Sequence, residues 1–533
     1  MKFLFLLITI FFTQLSQSQT SRVWRPDNGN GTYKNPIIHA DYSDPDAIRV
    51  GDDYYMIASS FNAAPGLPLL HSKDLVNWKL IGYALQRQPP YDHFSKPQHG
   101  NGVWAPSIRY HKGEFYIYYP DPDFGIYLTK SKNINGPWSD PVLVQAGKGL
   151  IDPCPLWDDN GDVYLVHAFA GSRAGIKSII VIKKLNATGT QVIDEGVMVY
   201  DGHDIDPTIE GPKFHKRNGY YYIFAPAGGV STGWQLVLRS KNVYGPYERK
   251  IVMDQGSSPV NGPHQGAWVN TPGGEDWFIH FQDKDAYGRV VHLQPMQWKN
   301  DWPVIGVDKD NDGKGEPVLT YKKPNVGKVF PAINPPESDE FNESRLGLQW
   351  QWHANPKSTW VYPYPSKGVL RVFSDKIPES FKTLWDVPNL LLQKFPAETF
   401  TATMKFSFLP RLEGEQFGLV VMGASYAYIS LQKKADGIYL VQGVCAAADK
   451  GNAETSKVLQ KITDSIVYFR VKVQPGTVCN FEYGTDAKNF TPVGEPFIAK
   501  PGRWIGAKTG FFCIRNASTN DAGFADIDWF RIN

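Results

Sequence analysis

Short runs of alternating apolar and polar residues, punctuated by Gly, Pro, Asn and Asp, fill most of this 533-residue chain. That pattern suits short strands and tight turns rather than long helices. One phrase recurs five times: an apolar residue, a polar turn, then an aromatic-rich strand. The copies begin at Ile48, Ile108, Leu156, Phe214 and Trp268. Asp44, Trp104, Asp152, Glu210 and His264 stand four residues before them, so successive anchors lie 60, 48, 58 and 54 residues apart. A period near 50 residues whose unit is a sheet of short strands predicts a five-bladed β-propeller, with the five anchors at equivalent positions around one axis. Between anchors, Ser72-Lys-Asp, Ser131-Lys-Asn and Ser240-Lys-Asn recur at corresponding places and read as structural outer-strand turns.

The alternation changes character after residue 336. Thr401–Phe408, Phe417–Met422 and Ile466–Val473 are short two-periodic runs that predict a β-sandwich. The expected fold class is therefore all-β: a propeller domain over 21–325, a Pro- and Lys-bearing linker over 326–336, and a sandwich domain over 337–533. Met1-Lys2, the apolar run Phe3–Phe12 and a polar exit predict a secretory signal peptide over 1–20, hence export to the periplasm or medium. The apolar run is too short to span a bilayer, and no membrane span is expected.

Composition adds exclusions. Hydrophobic residues make up 42 % and aromatic residues 14 %, enough for two large cores. The formal net charge is +2 with no basic block, which leaves nucleic-acid binding without electrostatic support. Of four cysteines, Cys154 stands alone and reads as a buried free thiol; Cys445, Cys479 and Cys513 allow at most one bridge, and their spacing is not that of a zinc site. Asp308-Lys-Asp-Asn-Asp-Gly313 imitates the start of a calcium loop but has Leu319 where the closing Glu belongs, so it reads as a surface turn. A structural Ca²⁺ is considered at the two ends of the sandwich, through Asp339 and Asp528. The oligomeric state is open.

The chemistry lies in the anchors. Two carboxylic acids suffice to hydrolyse a glycosidic bond, one protonating the leaving oxygen and the other activating water or attacking the sugar. Asp44, Asp152 and Glu210 hold three of five equivalent positions, and Pro or Gly follows each. Any one Asp-Pro is an ordinary turn starter; three acids in one register are a candidate active site. Trp104 would stack on the apolar face of a sugar ring.

The segment Asn35–Tyr55, with Trp104-Ala-Pro106, Ile151-Asp-Pro153, Ile209-Glu-Gly-Pro212 and Gly262-Pro-His-Gln-Gly266, resembles glycoside hydrolase family 43 over about residues 33 to 320. The C-terminal part resembles the concanavalin-like sandwich that often follows that propeller. The resemblance implies an inverting hydrolase that needs no cofactor for its chemistry. Asp44 would be the general base, Glu210 the general acid, and Asp152 the group that orients the acid and tunes its pKa. It also implies substrate-binding roles for Arg289 and for His264 near the axis. Ser59–Trp78 looks most like the exo-acting β-xylosidase and α-L-arabinofuranosidase branches, with Phe61 as a pocket wall. There, Ala63 and Ala64 replace bulky residues, which leaves the leaving-group side to be filled from elsewhere, the sandwich included. The expected substrate is a plant or algal polysaccharide fragment with terminal β-D-xylose, α-L-arabinofuranose or both. The alternatives are a predominant arabinofuranosidase and a non-catalytic carbohydrate-binding protein. The motifs of the retaining invertase-type propellers do not occur.

Overall fold

Each copy of the repeated phrase folds into the first hairpin of a four-stranded antiparallel sheet. The computed structural model describes residues 20–533, so the predicted signal peptide lies almost wholly outside the described residues. Five such sheets, with strands ordered as in the sequence, span Asp46–Leu85, Ser107–Ala146, Leu150–Asp201, Lys213–Met253 and His264–Ile305. We call these blades 1 to 5. The aromatic-rich stretch of each phrase is the second strand, buried along most of its length. The Ser-Lys-Asn/Asp turns join third and fourth strands. Ser72, Ser131 and Ser240 end the third strands of blades 1, 2 and 4, and each hydroxyl accepts a backbone N–H from the turn that follows.

Closure uses the chain ends rather than a shared blade. Thr32–Lys34 pairs with Thr320–Lys322, Ile38 bridges Val291, and the buried Asn35 amide binds backbone groups of Leu293 and Val318. Buried polar groups tie neighbouring blades. Asp46 of blade 1 accepts from Ile108 N (2.8 Å) and the Arg109 guanidinium (2.7 Å) of blade 2. Arg109 donates in turn to Cys154 Sγ of blade 3, which also accepts from Phe214 N of blade 4. Lys213, fully buried, reaches from blade 4 to Pro106 O and Ser107 Oγ of blade 2. Each of these groups would be costly to bury unpaired.

The second domain is a sandwich of two eight-stranded sheets around a core rich in Phe and Val, including Phe406, Phe417, Phe469 and Phe511. It docks on the face of the propeller that carries the anchors. Ala64 and Trp352 exchange backbone hydrogen bonds, Asn62 Nδ2 donates to His353 O (2.7 Å), and Asn355 pairs with the backbone of Gln88 at both ends of its amide. Ala63 and Ala64 are buried by this contact. Their small size is what admits the Trp352 strand. All four cysteines are buried and free, so no bridge links Cys445, Cys479 and Cys513.

Asp339 and Asp528 are each engaged by protein donors in this fold. Asp339 accepts from Phe341 N, Gly347 N and the Trp350 indole, each at 2.9 Å, whereas Asp528 pairs with Lys405. Both carboxylates are already satisfied by protein donors. The carboxylates of Asp308, Asp310 and Asp312 do gather within 4.8 Å, in a turn where Lys299 and Lys314 answer their charge.

Candidate active site

The anchors converge at the end of the propeller axis beneath the sandwich. Asp44, Trp104 and Glu210 lie just ahead of their first strands, while Asp152 and His264 fall inside theirs, at places where the ladder register shifts. The extra residue of such a shift re-aims a side chain. Backbone strain collects here: Asp44 (φ 54°), Phe61 (51°), Asp152 (58°) and Thr208 (59°) are all left-handed non-glycine residues. Each such conformation costs about 1–3 kcal/mol and persists only where surrounding contacts impose it.

A cavity of about 190 Å³ is lined by Asp44, Asp152 and Glu210 together with Phe61, Trp104 and Arg289. Asp44 is buried. Its Oδ2 accepts from Ser43 Oγ (2.6 Å) and Ser59 Oγ (2.5 Å), and its Oδ1 accepts from Arg289 Nη1 (3.2 Å). Three donors fix the carboxylate's direction. Arg289 also donates to Ser43 Oγ and lies over the Phe281 ring. Asp152 accepts from Gly211 N at 2.7 Å. Gly211 has φ +61°, and a Cβ there would lie 2.6 Å from Gln265, so this contact requires glycine. Burial first, and the neighbouring Glu210 charge second, push Asp152 well above the usual carboxylate range.

His264 stands behind the cavity wall. It has no exposed surface and does not line the cavity; its Nε2 lies 2.9 Å from Glu210 Oε1 and holds that side chain from beneath. Trp104 lines the cavity as a half-buried wall, its indole donating to Gly100 O and its ring backed by Arg173. Phe61 is almost fully buried, with only 3 % of its surface exposed at the cavity.

The residue that sequence reasoning did not name is Trp504. It comes from the sandwich, lines the same cavity, meets Trp104 edge-to-face at 6.3 Å between centroids, and is 44 % exposed. Its only sequence signal is a lone aromatic in the Gly-flanked turn Gly502-Arg-Trp-Ile-Gly506. The second domain thus contributes an aromatic wall to the cavity.

Two buried acids, Asp44 and Asp152, and the half-buried Glu210, in a cavity walled by aromatic rings, define a glycosidase site on a five-bladed propeller. Residues 33–303 match the family described as Glycosyl hydrolases family 43, and residues 338–533 match the Beta xylosidase C-terminal Concanavalin A-like domain. The chain belongs to glycoside hydrolase family 43. It is 41 % identical over 488 residues to a putative beta-xylosidase of Xylanibacter ruminicola, covering 91 % of this chain and 86 % of that one. It is 30 % identical to the non-reducing end alpha-L-arabinofuranosidase BoGH43B of Bacteroides ovatus, covering 94 % of each. Among solved structures, the xylan beta-1,4-xylosidase of Bacillus halodurans C-125 superposes with a TM-score of 0.82 at 25 % identity, over 94 % of this chain and 99 % of that one.

Proposed function

We propose that this glycoside hydrolase removes single terminal β-D-xylose residues from oligosaccharides, with α-L-arabinofuranose as a second substrate. One observation carries the exo-acting reading: the three acids share a cavity of only about 190 Å³, walled by Phe61, Trp104 and Arg289. Sites for drug-sized ligands run to roughly 300–1,000 Å³, so this one suits a single sugar ring. The preference for xylose rests on the activities named for the relatives, among which beta-xylosidases outnumber the arabinofuranosidase.

In this reading the terminal sugar enters non-reducing end first, and its leaving group points to the mouth, against Trp504. Asp44, held by Ser43, Ser59 and Arg289, takes a proton from the water that attacks the anomeric carbon. Glu210, held by His264, gives a proton to the departing oxygen. Asp152, fixed by Gly211 N and with its own pKa pushed up by burial and by the neighbouring Glu210, stands beside the acid as the carboxyl that orients it. Positioned proton transfer of this kind is worth roughly 10² to 10⁴ in rate. We further propose that the Phe3–Phe12 run directs export, which N-terminal sequencing of the mature protein would check. Initial rates on 4-nitrophenyl β-D-xyloside and α-L-arabinofuranoside test the substrate reading. Turnover of the xyloside with slower turnover of the arabinofuranoside is expected. Polysaccharide binding without turnover of either would refute it.

A further inference from the structure

Asp41 lies three residues before Asp44, is 5 % exposed, and takes no part in the chemistry derived above. Its two carboxylate oxygens accept from two different domains. Oδ1 accepts from Arg289 N at 2.9 Å, and Oδ2 accepts from Gly506 N at 3.0 Å. Arg289 contacts Asp44, and Gly506 stands two residues after Trp504. The same short segment grips Arg289 again, since Tyr42 N donates to Arg289 O at 3.2 Å.

The surroundings show how closely the two backbones are brought together. A Cβ on Gly288 would lie 2.6 Å from the Asp41 side chain, and a Cβ on Gly506 would lie 2.7 Å from Gly288 N. Ala507 N donates to Ala286 O at 2.7 Å just beyond. Gly288 and Gly506 are therefore the clearance that lets one carboxylate reach both N–H groups. The sandwich also brings two amines, Lys508 (buried) and Lys394 (half-buried), into the field of Asp41 across the seam.

We propose that Asp41 is a positioning residue, a latch that sets Trp504 of the sandwich at a fixed place relative to Arg289 and the base Asp44. The inference rests on the pocket described under the proposed function. A carboxylate suits the task because it accepts at both oxygens; an amide of the same shape accepts at one and presents N–H to the other donor. Asp41→Asn therefore releases either Arg289 N or Gly506 N and lets the Trp504 turn drift. Misplacement by about 1 Å in such a site costs up to about 10²-fold.

The test is a double-mutant cycle of Asp41→Asn and Trp504→Gly, read as kcat/KM on xylobiose, with thermal unfolding of each variant. Asp41→Asn is expected to lose about 10- to 100-fold in the wild-type background and at least 3-fold less than that once Trp504 is absent. Equal losses in both backgrounds, or no loss, would overturn the latch, whether or not the melting temperature falls. If Asp41→Asn does not fold, Gly506→Ala takes its place in the cycle, because its Cβ pushes the same turn off Gly288. Asp44→Asn, measured alongside, separates the two layers of inference. Retained activity there sinks the pocket itself, whereas an additive cycle sinks only the latch.

Discussion

Trp504→Gly isolates what the second domain contributes to substrate binding. The indole is 44 % exposed at the mouth of the cavity. Taking about 250 Å² for a whole Trp side chain, roughly 110 Å² of ring stands open, of which a leaving-group sugar would cover about half. Counting an equal area on the sugar, about 100 Å² of contact at ~25 cal/mol/Å² gives about 2.5 kcal/mol as an upper figure, or up to ~70-fold in kcat/KM. The backbone at Trp504 has φ 64°, which glycine adopts without strain. Lost packing and relieved strain should then nearly cancel, leaving the melting temperature within about 3 °C of wild type. The assay compares kcat/KM on xylobiose and xylotriose with kcat/KM on free-standing 4-nitrophenyl β-D-xyloside. A 10- to 70-fold loss on the oligosaccharides is expected, with a smaller loss on the aryl glycoside, whose activated leaving group depends less on that wall. Undiminished oligosaccharide turnover would refute the placement of the leaving group against Trp504. A matching loss on all substrates with a collapsed melting temperature would instead make Trp504 a docking residue.

Other perturbations discriminate in different ways. Glu210→Ala should remove most activity on xylobiose while sparing much of it on aryl glycosides that leave without protonation; equal loss on both would show that Glu210 is not the acid. Lys508, on the sandwich side of the seam, is pushed down to about 7 by burial first and by Lys394 second. Its folded state thus sheds a proton that the unfolded chain keeps up to its ordinary value of 10.5, so the burial penalty is full below about pH 7 and fades as pH rises toward 10.5. Lys508→Met should raise the melting temperature by several degrees at pH 6 and by clearly less at pH 9.5. A stability gain independent of pH, or a loss at pH 6, would contradict the buried-amine reading.

Much of the fold was legible because the repeat is written in local patterns. A turn flanked by apolar and aromatic strands needs only its neighbours to form, so five copies disclosed five blades and put Asp44, Asp152 and Glu210 in equivalent positions. The sandwich was likewise legible from alternation. What stayed hidden depends on contacts between distant segments. Trp504 enters the pocket because the second domain docks there, through contacts such as those of Ala64 with Trp352 and of Asn355 with Gln88. Asp41 looked like any acid in a turn, and only the approach of Gly506 to Gly288 reveals its two donors. The contact of His264 with Glu210 was hidden for a related reason: the register puts both near the axis but does not show that they meet. The local donors of Asp339 and Asp528, the Trp350 indole and Lys405, are likewise set by the fold and carry no signal in the sequence.

The division of labour between Asp44 and Glu210 has a direct stereochemical signature. Base-activated attack of water from the face opposite the leaving group inverts the anomeric carbon in one displacement. A proton NMR time course of 4-nitrophenyl β-D-xyloside hydrolysis reads this before mutarotation equalises the anomers. The α-anomer of xylose appearing first, with the β-anomer growing in later, is the predicted result. Initial accumulation of the β-anomer would mean retention, and Asp44 could not then be the base that activates water.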